Sequence, residues 1–310
     1  MSASLPTTVV FILILASVIL ALRVIAKTLV PFALRSLWRM YNRILLRSRG
    51  HFGRLMYDPV ARRFPRIAAH VGQRFSAERF SGLPLTLLIA IAVYAAALVT
   101  ELALDLVFEP DELAAVDRLI EGRLAAFRSI ALISAFAWIT DLGNSATLVV
   151  LSATATAFAL VSGRAANVLP LWVTVLGAQI FTWAVKFALN RQRPEFLTDI
   201  TALSPSFPSA HSANSLAIYG FLAYMLAREI RSSTARFETV FWIAVLIGLI
   251  GFSRIFLHVH YASDVAAGYL IGGIWLVIGI SFAELRRARR APSYPDENLS
   301  SNRSDQGISE

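Results

Sequence analysis

Seven apolar runs divide this chain of 310 residues, near 8–31, 83–107, 146–163, 168–189, 212–228, 237–256 and 264–283. A bilayer core of ~30 Å takes ~20 helical residues to cross, and a backbone in lipid must satisfy its own hydrogen bonds. These two constraints leave a bundle of spanning helices as the architecture. The runs at 146–163 and 212–228 are the weakest, the first because it is short and the second because it holds Asn214 and Ser215. Another apolar stretch, 129–140, lies between Arg128 and Asp141 and is too short to span; it predicts an interfacial or packed helix. Hydrophobic residues make up 56% of the chain and charged ones 16%, with a mean hydropathy of +0.62, which lies outside the range of ordinary soluble domains. The predicted class is all-α, a polytopic helical membrane protein.

The chain has no cysteine, which excludes disulfides, thiolate nucleophiles and Cys-ligated metal centres. Its net charge of +9 sits mostly between the hydrophobic runs, and distribution rather than total decides what a basic chain binds. The reading is a basic membrane protein with no nucleic-acid partner.

Loop charge sets orientation. Residues 32–82 carry eleven Arg, and Arg164, Arg228, Arg231, Arg236 and the tail Arg286, Arg287, Arg289, Arg290 and Arg303 fall on the same face if there are seven crossings. That face is expected to be cytoplasmic. Met1 to Thr8 has no basic residue, while Arg23 and Lys27 follow the first run, the reverse of a signal peptide's charge order. The first run therefore predicts a membrane anchor with its N-terminus outside. Arg alternates with Leu, Phe, Trp and Tyr through 32–82, a pattern suited to contact with an anionic leaflet; a loop that only fixes topology explains it equally. The expected divisions are an anchor at 1–31, a basic amphipathic cytoplasmic segment at 32–82, a core at 83–283 and a disordered cytoplasmic tail at 284–310.

Three separated segments carry the chemistry: KFALNRQRP with Lys186, Arg193 and Pro194; Pro208-Ser209-Ala210-His211; and SRIFLHVHYASD with Ser253, Arg254, His260 and Asp264. Each lies at the edge of an apolar run, and with seven crossings all three face outward. Taken singly, each has a bland explanation. A Lys near a helix C-terminus complements the dipole, Pro194 stops a helix and Ser209 is a suitable N-cap. Taken together they do not, because charged residues at membrane depth are costly and usually functional. Lys, Arg and Ser are donors for a tetrahedral oxyanion, and a helix N-terminus opening at Ser209 offers free N–H groups to an anion. If the last helix begins early enough, His260 and Asp264 share a face, and Asp accepting from Nδ1–H leaves Nε2 free to attack. His258, two residues away, is expected to point elsewhere.

The set K-x6-RP, PS-x-H, SR-x5-H-x3-D resembles the signature of the type 2 phosphatidic acid phosphatase (PAP2) family over residues 83–283. Ala210 stands where that family usually has Gly. The resemblance implies a six-helix PAP2-type core, to which the first helix is an addition. It implies a lipid phosphatase acting on a phosphomonoester or pyrophosphate without metal or cofactor, at the outer face of what in a bacterium is the inner membrane. In that picture Lys186, Arg193 and Arg254 neutralise the phosphoryl oxygens, and Ser209 and the Ala210 N–H complete the cradle. His260 forms a phosphohistidine, Asp264 orients it and His211 protonates the leaving group. The competing readings are a phosphotransferase on the same core, a haloperoxidase, which is a soluble enzyme type at odds with the apolar runs, a non-catalytic transporter or scaffold, and an inactive member.

Overall fold

The computed structural model describes residues 5–48, 63–66, 80–194 and 204–290. The remainder of the basic segment (49–62 and 67–79) and residues 291–310 lie outside the described residues, and with them the expectations of leaflet contact and tail disorder at those positions. Residues 284–290, expected to begin the disordered tail, instead continue the helix that ends at Arg290, where Tyr224 and Arg228 bind Glu284. The described secondary structure is helical: α1 (Leu5–Ser48), α2 (Leu83–Phe108), α3 (Pro110–Ala125), α4 (Ile130–Asp141), α5 (Ser145–Val161), a 3₁₀ turn (Ala165–Asn167), α6 (Val168–Leu189), α7 (Ala210–Glu229), α8 (Ser233–Phe256) and α9 (Ala262–Arg290).

Local chemistry sets the boundaries. Pro at the first turn opens α2 and α3. Ser129 and Asn144 cap α4 and α5 by accepting from the N–H groups of Leu132 and Ala146 at 3.3 and 3.2 Å. Asn190, in the left-handed region at φ 46°, turns the chain out of α6.

Five helical stretches are long and apolar enough to cross a membrane: Pro6–Ala33, Leu83–Phe108, Ala165–Leu189, Ser233–Phe256 and Ala262–Arg290. The α4–α5 pair, bent by 41°, makes a sixth if read as one span. The stretch expected at 129–140 is thus a packed helix, with Leu132, Phe136 and Thr140 buried. The run expected to cross at 212–228 is helical but is not apolar enough to qualify. Its polar residues Ser212, Asn214 and Ser215 are buried, so α7 is the inner helix of the bundle, packed against α6, α8 and α9.

Close packing against α7 depends on small residues, as is common between membrane helices. A Cβ on Gly268 of α9 would sit 2.5 Å from the Ser209 carbonyl oxygen and 2.9 Å from the Ser212 Cβ. At the N-terminus, α1 inserts Phe11 among Phe127, Phe136, Phe252 and Phe256, with ring centroids 5.4–6.2 Å away. Farther along, Arg23 binds Glu238 of α8 through two hydrogen bonds of 3.0 and 2.6 Å. The end of the bundle away from the motifs is tied by ion pairs Arg164–Glu229 and Arg228–Glu284.

Candidate active site

Four helix ends converge. Lys186 lies in the last turn of α6, Ser209 precedes α7, Arg254 lies in the last turn of α8, and Asp264 lies in the first turn of α9. The Ser209 N–H donates to the Asp264 carbonyl at 2.9 Å, which ties the second motif to the third. Arg193 Nη1 donates to the Val259 carbonyl at 2.9 Å, which ties the first to the third.

His260 is not on α9 but in the turn before it. It meets Asp264 because that carboxylate reaches back, as the acidic residue of a capping box does: Oδ2 accepts from the Tyr261 N–H at 2.9 Å and faces His260 Nδ1 at 3.2 Å. On the other side of the ring, Nε2 lies 3.1 Å from Arg193 Nη1. A guanidinium only donates, so Nε2 is the bare acceptor and the proton resides on Nδ1. Burial pushes the imidazole down to about 3, with the Asp264 hydrogen bond pulling the other way. The ring is therefore neutral near pH ~7, with its lone pair facing the cationic cluster.

Lys186 and Arg254 are buried and Arg193 is half-buried. Lys186 Nζ donates to the carbonyls of Pro205 and Ser206, and Arg193 donates to the Ser204 carbonyl at 2.8 Å and its hydroxyl at 3.1 Å. Arg254 Nη1 donates to Thr140 Oγ1 at 2.8 Å, while its Nε is buried without a partner among the described residues. None of the three pairs with a described carboxylate: Asp264 is taken by Arg191 and His260, and Asp117 by Arg191. Burying a cation without a counter-charge costs several kcal/mol. Three of them at one end of the bundle make it a candidate anion site.

Ser209 holds the N-cap position of α7, but its side chain caps nothing; the hydroxyl accepts from Ser212 Oγ at 3.2 Å. The first N–H groups of a helix have no intrahelical partner, and the Ala210 amide is the first of them. His211 follows on α7 within the field of Arg254, His260, Arg193 and Lys186. Gly143, in the α4–α5 turn, lets that turn close over it: a Cβ there would be 3.3 Å from His211 Cδ2. His258 adopts φ 56° and turns Nε2 toward Glu121 at 3.4 Å, away from the dyad. Among the described residues no group of three His, Asp or Glu side chains is placed to hold a metal ion.

The structure also brings in residues that motif reasoning passes over. Arg191, Asp117, Ser206, Ser263 and Thr140 all hydrogen-bond to, or through, the residues above. The only signal for Arg191 is its place in the same basic run as Arg193. Asp117 sits on α3 in a stretch rich in acids, where nothing in the spacing distinguishes it.

The model of the PAP2 superfamily matches residues 167–288. Phosphatidylglycerophosphatase B of Bacillus subtilis (strain 168) is 30% identical over 151 residues, covering 41% of this chain and 74% of the relative. The crystal structure of a transmembrane PAP2-type phosphatidylglycerolphosphate phosphatase from Bacillus subtilis superposes with a TM-score of 0.58 at 25% identity, covering 63% of this chain and 96% of that one. LpxE of Aquifex aeolicus, also 25% identical, has a TM-score of 0.42 over 54% of this chain and 93% of its own. The motif segments from Lys186 to Asp264 lie inside the matched stretch, on a fold shared with a PAP2-type membrane enzyme, and the chain belongs to the PAP2 superfamily.

Proposed function

We propose that this membrane phosphatase hydrolyses a phosphomonoester or pyrophosphate of a lipid through a phosphohistidine, without metal. The observation that supports it most is the approach of Arg193 Nη1 to the unprotonated Nε2 of His260 at 3.1 Å, at the end of the bundle where Lys186 and Arg254 are also buried without an ion-pair partner among the described residues. The cations and the Ala210 N–H draw charge from the phosphoryl oxygens and stabilise it in the transition state, supplying what a metal otherwise would. The Nε2 lone pair forms a bond to phosphorus as the bond to the lipid oxygen breaks, and Asp264 stabilises the positive ring that results. His211 gives a proton to the departing oxygen, then takes one from the water that attacks phosphorus and frees His260.

The site is assigned to the outer face of the bacterial inner membrane, with α1 an anchor whose N-terminus is outside. The charge bias supports this: the opposite end of the bundle carries Arg164, Arg228 and Arg236. The divisions at 1–31, 32–82, 83–283 and 284–310, and anionic-lipid contact by 32–82, belong to the same proposal. The relatives named for phosphatidylglycerophosphate make it the first substrate to try.

The test is phosphate release by the purified full chain in EDTA from phosphatidylglycerophosphate, phosphatidic acid, a prenyl pyrophosphate and a lipid A phosphate. Release from at least one supports the proposal. Phosphoryl transfer to an added lipid acceptor without release would make the protein a transferase, and no reaction with any of them would overturn both readings.

A further inference from the structure

Asp264 uses its two oxygens differently. Oδ2 accepts from the Ser206 hydroxyl and the Tyr261 N–H and faces His260, while the described partner of Oδ1 is Arg191 Nη1 at 2.6 Å. The same Nη1 donates to Ser263 Oγ at 2.8 Å, and Nη2 donates to Asp117 Oδ2 at 2.9 Å. Asp117, on α3, is held in turn by the Ser263 N–H at 3.0 Å and hydroxyl at 2.6 Å. The Tyr261 ring covers the guanidinium at 4.2 Å. One planar cation is thus fixed by two buried carboxylates, a hydroxyl and a ring, and it makes none of the cradle's hydrogen bonds.

We propose that Arg191 is a positioning residue for phosphoryl transfer and that Asp117 is the other jaw of its clamp. This rests on the reading of His260 as nucleophile. A carboxylate held only through Oδ2 can swing about its Cβ–Cγ bond; pinning Oδ1 keeps Oδ2 aimed at Nδ1 and Nε2 free of a proton. Arg191 is also the permanent cation that pairs with Asp264. Without it, the buried carboxylate loses its ion-pair partner and is favoured to take a proton itself or to draw a second one onto His260. Either change removes the geometry or the lone pair that attack requires. Because α3 supplies Asp117, an outer helix with none of the signature residues takes part in aligning the dyad.

The experiment uses purified full-length Arg191→Met, Arg191→Lys and Asp117→Asn on a lipid that the wild type hydrolyses, with sites counted by vanadate binding. Outer partners of catalytic groups typically carry about 10–100-fold in activity. Arg191→Met is expected to lower kcat by about that range while KM and the vanadate Kd stay within about threefold, since the cradle is intact. Arg191→Lys, which can reach Oδ1 but not both carboxylates, should recover part of the loss. Asp117→Asn, which can still accept from Ser263, should lower kcat by a smaller factor. A merely structural role would lower the number of vanadate sites and leave kcat per site unchanged, and that outcome overturns the proposal, as does a parallel loss of vanadate affinity. If Arg191→Met does not fold, an unchanged kcat per site in Asp117→Asn overturns it. A wild type active on no lipid phosphate would overturn the phosphatase reading itself, and with it this one.

Discussion

Arg193 Nη1 rests 3.1 Å from Nε2 of His260, so a fixed cation faces the lone pair of the neutral imidazole. In the proposed mechanism, a phosphoryl group entering between them meets its counter-charge and its nucleophile together. This contact sets the tautomer of the ring and motivates the first prediction.

His260→Ala should abolish turnover, because the chain has no cysteine and, among the described residues, no second histidine against Asp264 to replace it. Asp264→Asn should keep more activity, losing about 10²–10⁴-fold, since it disturbs orientation and charge but leaves the attacking nitrogen. Steady-state phosphate release measures both; a His260→Ala enzyme at wild-type rate would end the phosphohistidine scheme.

Arg254 offers a trade between binding and stability. Its Nε is buried without a described partner, so Arg254→Met should raise the melting temperature of the empty protein by removing a buried charge that has no ion-pair partner among the described residues. The same change should weaken vanadate binding by about 10–100-fold, the worth of a charged hydrogen bond of ~1.5–3 kcal/mol. Thermal unfolding with and without vanadate tests the pair of effects. A variant less stable when empty would contradict it.

Ala210 replaces the glycine of the family pattern as the first residue of α7. It is not among the described non-glycine residues with positive φ, which are Asn190 and His258, so the methyl strains nothing. Ala210→Gly should therefore leave kcat within a few-fold, while Ala210→Val should raise KM and lower kcat by crowding the phosphoryl site. Equal activity of Val and Ala would place the loop away from the phosphate.

His260 also marks the response of stability to pH. In the unfolded chain the ring takes a proton near pH ~6.5, in the fold only near about 3. Between those values the unfolded state binds more protons, so this contribution is complete above pH ~6.5 and is lost as the pH falls toward 3. The melting temperature of wild type should drop more steeply from about pH 7 to about pH 4.5 than that of His260→Gln, which cannot titrate. Parallel curves would refute the burial argument.

Orientation is tested by single cysteines in this Cys-free background. Glu112→Cys on α3, at the site end, should react with an impermeant reagent in intact cells, and Ser300→Cys in the tail should not. The opposite labelling would invert the topology.

The sequence made the motif residues legible because charged side chains beside long apolar runs are few and their spacing is fixed by the turns that carry them. Lys186, Arg193, Ser209, Ala210, His211, Arg254, His260 and Asp264 stand out for that reason, and the structure gathers them at one end of the bundle. Thr140 and Asp117 do not stand out. They reach Arg254 and Arg191 across 114 and 74 positions, and only the choice of neighbouring helices creates those contacts. The start of α9 at Ala262 was also hidden, since nothing local says that Asp264 would cap the helix and hold His260 from the turn. Hydropathy read α7 as a weak crossing because it cannot tell a polar residue facing lipid from one facing α6 or α9.

That last property bears on how the protein is made. A helix carrying Ser212, Asn214 and Ser215 has little reason to leave the insertion machinery for lipid alone, and α9, one of the walls it needs, is translated after it. The head of α7 is therefore tied down, through the Ser209 N–H to the Asp264 carbonyl, only when α9 arrives. A chain cut short before α9 lacks both the dyad's carboxylate and the neighbour that makes α7 at home in the membrane. Interrupted synthesis would then give rejected chains and no half-active enzyme.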